Sequence, residues 1–96
     1  MGARRSRLEL IYDILLSIQN KGGRIKPTHL MYKSNLSHKL LNQYLEELLT
    51  KELVVVEEEY HRKKISASKV IILTDKGAEF MSEFRRMREF TEAFGL

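Results

Sequence analysis

The chain has 96 residues, 43% hydrophobic and 31% charged, with 17 basic against 13 acidic side chains and a net charge of +4. This length supports one domain with a modest core, and the composition is that of a folded soluble protein. No cysteine is present, which excludes disulfide frameworks, thiolate zinc sites and thiol nucleophiles, and no apolar run is long enough to cross a bilayer. Glu9 and Asp13 interrupt any apolar segment behind the N-terminal arginines, so neither a signal peptide nor a membrane partner is expected, and the expected location is cytoplasmic.

Ser6-Arg7-Leu8-Glu9 is a capping box, in which the serine hydroxyl and the glutamate three residues on each satisfy an orphan backbone amide. Leu8, Ile11, Ile14, Leu15 and Ile18 follow at helical spacing, and Gly22-Gly23 supplies a terminus, so a first helix is predicted from about Arg7 to Gln19. Arg24-Ile25-Lys26 is extended, because Lys26 precedes Pro27, and it could pair as a short strand. Pro27 opens a second helix through Lys33, and Ser34-Asn35-Leu36 is a turn. A third helix is expected over about 37–51, capped by Ser37. Its buried face would carry Leu41, Leu45, Leu48 and Leu49, with Leu40 and Tyr44 alongside. Its other face carries His38, Lys39, Asn42 and Gln43, then Glu46 and Glu47.

Leu53 to Val56 and Val70 to Leu73 are strand-like runs, joined by the basic segment from His61 to Lys69. Helix, short strand, two helices across a short turn and a basic hairpin make a winged helix-turn-helix of the α+β class, with a three-helix core and a β-hairpin wing. Thr74 or Asp75 caps an additional C-terminal helix. The expected division is a DNA-binding domain over 1–75 and a C-terminal helix over 76–96 that packs on it and dimerises. Phe80, Phe84, Met87, Thr91 and Phe94 on that helix alternate steps of four and three, a short coiled-coil-like seam. Phe80, Phe84, Met87, Phe90 and Phe94 are therefore the candidate homodimer contacts, the bland alternative being that they only cover the first helix. Arg85 with Glu89 and Arg88 with Glu92 are expected i,i+4 ion pairs on its wet side.

Charge is distributed unevenly. No acidic residue occurs from Ile14 through Leu45, while Lys21, Arg24, Lys26, Lys33 and Lys39 fall inside that window. Clustered base implies a polyanionic partner, nucleic acid before membrane. Asn42 and Gln43 have the donor–acceptor pairs that adenine edges require, and Lys39 suits guanine or phosphate. The candidate double-stranded-DNA contacts are Ser37, His38, Lys39, Asn42 and Gln43 in the groove, with Lys26, Lys33 and the wing residues Arg62, Lys63 and Lys64 on the backbone. An ordinary amphipathic helix with a solvated face would show the same residues. Arg4, Arg5 and Arg7 fit either an arm on the duplex or a solvated tail. Glu57-Glu58-Glu59 either neutralises wing residues across the hairpin or bars that part of the wing from the backbone.

His29, His38 and His61 lack the paired spacing of a metal site, and no nucleophile elbow, phosphate loop or catalytic carboxylate pair is recognisable. The expectation is no enzyme, no metal, no cofactor and no small-molecule ligand. The function read from the residues is sequence-specific DNA binding by a small dimer. The alternatives are a winged-helix protein-interaction module and a low-specificity chromatin protein.

Tyr32-Lys33-Ser34-Asn35-Leu36-Ser37, Tyr44-Leu45-Glu46-Glu47-Leu48 and Leu73-Thr74-Asp75-Lys76-Gly77 together resemble a family of small archaeal winged helix-turn-helix DNA-binding proteins. Its members are predicted transcriptional regulators, and some dimerise through a C-terminal antiparallel coiled coil. The resemblance implies DNA binding by the third helix and wing, with Ser37, His38, Lys39, Asn42 and Gln43 at the groove, and dimerisation by the last helix. This chain departs from the family in a longer, more basic wing, in Ile71 where relatives carry an aromatic, and in a shorter final helix.

Overall fold

The computed structural model describes residues 6–60 and 68–96. The capping box closes as expected: the Glu9 amide donates to Ser6 Oγ at 3.1 Å and starts helix α1, Arg7–Asn20. Gly23 ends it with φ of +88°, a left-handed conformation that a side chain would strain. There its amide donates to the Ile18 carbonyl and its carbonyl accepts from Leu73. The chain then forms strand β1, Arg24–Ile25, and Pro27 begins helix α2, Pro27–Ser34. Asn35, also left-handed at φ 56°, turns the chain towards helix α3, His38–Thr50.

Strands β2, Val54–Glu59, and β3, Ser68–Leu73, form an antiparallel hairpin that pairs Val54 with Leu73 at one end and Glu59 with Ser68 at the other. The expected extended segment after α1 does pair: Arg24 lies opposite Ile72 and Ile25 opposite Ile71, so the sheet order is β1-β3-β2. Thr74 caps the last helix, α4, Asp75–Ala93, with its Oγ1 accepting from the Gly77 amide at 3.0 Å. The same hydroxyl donates to the Glu52 carbonyl at 2.7 Å, which ties the start of α4 to the turn after α3.

The core is built from Ile14, Leu15 and Ile18 of α1, Leu30 of α2, Leu41 and Leu48 of α3, Val54 and Ile71 of the sheet, and Met81 and Phe84 of α4. These side chains supply the apolar burial that drives folding. Tyr12 and Phe84 stack with centroids 4.9 Å apart, which seats α4 on α1.

The structure corrects three expectations. The buried stripe of α3 is narrower than predicted: Leu41 and Leu48 are buried, Leu45 and Tyr44 only partly, and Leu40 and Leu49 are exposed. One step of about 100° past Leu48 carries Leu49 off the sheet-facing side. On α4, Arg86 pairs with Glu83 at 3.1 Å, and neither Arg85–Glu89 nor Arg88–Glu92 forms an ion pair among the described residues. Arg85 instead donates to the Tyr12 hydroxyl of α1 at 3.3 Å, and Arg88 sits 5.8 Å over the ring of Phe84, one turn earlier on α4. Phe84 itself, 6% exposed, belongs to the core of its own chain and has no surface left for a dimer contact.

Candidate nucleic-acid interface

Burying Leu41 and Leu48 turns the opposite side of α3 outward, and His38, Lys39, Asn42, Gln43 and Glu46 are all exposed there. Ser37 is exposed too, but its Oγ accepts from the Leu40 amide at 3.1 Å, so it serves first as the helix cap. The Asn42 amide nitrogen lies 3.3 Å from His38 Nδ1. For that contact to be a hydrogen bond, Nδ1 must accept, which places the imidazole proton on Nε2. Asn42 keeps its carbonyl oxygen and a second N–H for another partner.

The acids of α3 are treated unequally. Glu47 is partly buried, and both Arg7 at the start of α1 and Lys51, at 2.6 Å, pair with it. Glu46, one residue earlier, is exposed and has no cation within ion-pair reach among the described residues.

Beside α3, α2 carries a lysine at each end. Lys26 is its N-cap residue and Lys33 lies in its last turn, both exposed. Two neighbours, His29 and Tyr32, were not among the expected DNA contacts: with Lys21 and Lys33 they line one shallow concavity, and Lys21 and His29 line a second with Arg24, Lys26 and Glu59. The acid-free window from Ile14 to Leu45 was the signal that could have found them, since α2 and the α1–β1 turn fall wholly inside it.

Arg62, Lys63 and Lys64, like Arg4 and Arg5, lie outside the described residues. Towards the loop end of the hairpin, Glu57 and Glu59 are met from β1: Arg24 pairs with Glu59 and stands 3.8 Å from Glu57. Glu58 accepts from the Tyr60 hydroxyl at 3.1 Å and lies opposite Lys69. Of the aromatic residues predicted as dimer contacts, Phe80 is half-buried against the core, while Met87, Phe90 and Phe94 are exposed, the last two at 63% and 68%. Among the described residues no cluster of histidine and carboxylate side chains could hold a metal ion, and no helix is long and apolar enough to cross a membrane.

A sequence model for the winged helix-turn-helix family matches residues 4–92, nearly the whole chain. The chain belongs to the winged helix-turn-helix family. Solved structures of this fold include Sso10a-2, a DNA-binding protein from Sulfolobus solfataricus, with a TM-score of 0.74 and 18% identity over 94% of this chain and 85% of that one. F93 from STIV, a winged-helix DNA-binding protein, superposes with a TM-score of 0.67 and 21% identity over 90% of this chain and 92% of that one. Bordetella bronchiseptica BpsR, whose DNA binding is regulated by 6-hydroxynicotinic acid, gives a TM-score of 0.69 and 16% identity over 90% of this chain but 64% of its own. At such identities the likeness is one of fold. No curated protein matches the chain in sequence.

Proposed function

We propose that this winged helix-turn-helix protein binds double-stranded DNA sequence-specifically, as a small dimeric regulator of transcription. The observation that carries the reading is the outward face of α3, where Lys39, Asn42 and Gln43 stand exposed opposite buried Leu41 and Leu48. An α-helix fits the major groove, where amide side chains can read adenine and lysine can take guanine or phosphate. Lys26 and Lys33 on α2, with Arg62, Lys63 and Lys64 of the wing, would hold the phosphate backbone on either side. The DNA-binding proteins that share the fold support the same reading. Arg24 pairs with Glu59 and stands 3.8 Å from Glu57, which offsets part of the acidic surface on which a protein-interaction module would rest.

Met87, Phe90 and Phe94 form the proposed dimer contact, a second copy covering the aromatic end of α4. Two-fold symmetry then sets recognition helices about 34 Å apart, or a multiple of that, on the duplex.

Fluorescence anisotropy with selected and random duplexes, titrated across salt, tests the proposal. Affinity should fall steeply with salt, and Lys33→Ala should weaken all duplexes alike while reducing the salt slope by about one unit. Salt-independent binding, or equal affinity for selected and random duplexes, would contradict it.

A further inference from the structure

We infer that Glu46 is a specificity-determining residue of α3 that selects cytosine, an inference that rests on the DNA-binding reading of that helix. Four steps of about 100° bring Glu46 roughly 40° round from Asn42, towards Gln43, and about 6 Å further along the axis. It therefore stands within the exposed stripe proposed to face the groove, and not at its margin. The contrast with Glu47 carries the argument. Of two adjacent carboxylates, Glu47 is held by Arg7 and Lys51, whereas Glu46 has no ion-pair partner among the described residues. The bond recorded at Glu46 leaves its carboxylate untouched, since Thr50 Oγ1 donates to the backbone carbonyl at 2.8 Å.

An uncompensated carboxylate facing DNA is repelled by phosphates and by every acceptor on the base edges. Guanine presents N7 and O6 in the major groove, and thymine presents O4. Adenine has an amino donor, but the N7 acceptor beside it opposes a carboxylate. Cytosine N4 is a donor without an adjacent major-groove acceptor of its own, so it best offsets the charge. Glu46 thus discriminates chiefly by penalising other bases, a repulsive element of recognition. A protein meant to coat any sequence would bear that penalty everywhere.

Binding-site selection on random duplexes, run in parallel on the 96-residue wild-type chain, Glu46→Ala and Glu46→Gln, tests this. Affinities for one random duplex and thermal melts accompany it. Wild type should select cytosine within about two base pairs of the position governed by Asn42, with roughly tenfold preference. Both variants should lose that preference, bind the random duplex several-fold more tightly, and melt as wild type does. If Glu46→Ala selects the same base with the same strength, or weakens all duplexes equally, the inference is overturned. A wild-type chain that binds no duplex would overturn the DNA-binding reading itself, a result distinct from a wild type that binds DNA but is indifferent to position 46.

Discussion

At Gly77 the absence of a side chain lets α4 begin directly against the turn that follows α3. A Cβ built there would press deep into the Leu53 carbonyl oxygen and come within 2.7 Å of Leu73 Cδ1. Leu73 could rotate away, but the Leu53 carbonyl also accepts from the Thr74 amide at 3.2 Å and cannot move freely. Gly77→Ala should therefore cost about 1–3 kcal/mol of stability, read as a lower urea midpoint, even though alanine is the better helix former. An unchanged midpoint would show that α4 can lift off the turn without cost. The sequence motif containing Gly77 was visible, but the reason for the glycine was not. Its constraint comes from a carbonyl some two dozen positions earlier in the chain.

Helix α3 contributes Leu41 and Leu48 to the core and is the element proposed to recognise DNA. Ser37 caps it and stands at the edge of its exposed face, so the two roles can be separated by substitution. Ser37→Ala removes the acceptor for the Leu40 amide and should cost about 1 kcal/mol. Ser37→Asp retains a cap acceptor and should melt near wild type. The aspartate, however, places a negative charge where phosphate is expected, and should weaken duplex binding more than the alanine does. If both variants bound DNA equally, Ser37 would lie away from the backbone. The sheet teaches a complementary lesson. Glu57-Glu58-Glu59 pointed to a charge partner across the hairpin, yet Arg24 reaches two of the three from β1, on the far side of β3. Strand order, invisible in local pattern, placed that arginine.

For the whole molecule, which measures 55 × 29 × 22 Å, α4 has two ends with different roles. Its first half is absorbed by the chain's own core through Gly77, Met81 and Phe84. Its second half carries Phe90 and Phe94, whose rings meet each other at 5.0 Å while remaining mostly exposed. This exposed pair is where the proposed second copy would sit, since contiguous apolar surface favours association. Replacing Phe90 and Phe94 together with glutamate should convert a dimer to a monomer in sedimentation equilibrium and leave the melting transition nearly unchanged. Phe84→Ala should instead cost about 3–5 kcal/mol, because it empties a packed site. A wild-type chain that remains monomeric at tens of micromolar would sink the dimer proposal.

Local pattern sufficed for the elements and their order. Capping residues, helical spacing, Pro27 and the apolar β-branched runs act within a few positions of one another, so α1 to α4, the hairpin and the winged architecture could all be read in advance. So could the exposure of His38, Lys39, Asn42 and Gln43, since amphipathic spacing separates a helix's wet side from its dry one. Three-dimensional packing alone determined which charges are cancelled and which aromatic rings are used up. It gave Arg7 to Glu47, Arg24 to the acidic strand and Phe84 to Tyr12, and it left Glu46 uncancelled and Phe90 and Phe94 in solvent. Those outcomes depend on Coulombic and van der Waals contacts between residues far apart in the chain. Such contacts arise only once the sheet order and the seating of α4 bring them within a few ångströms.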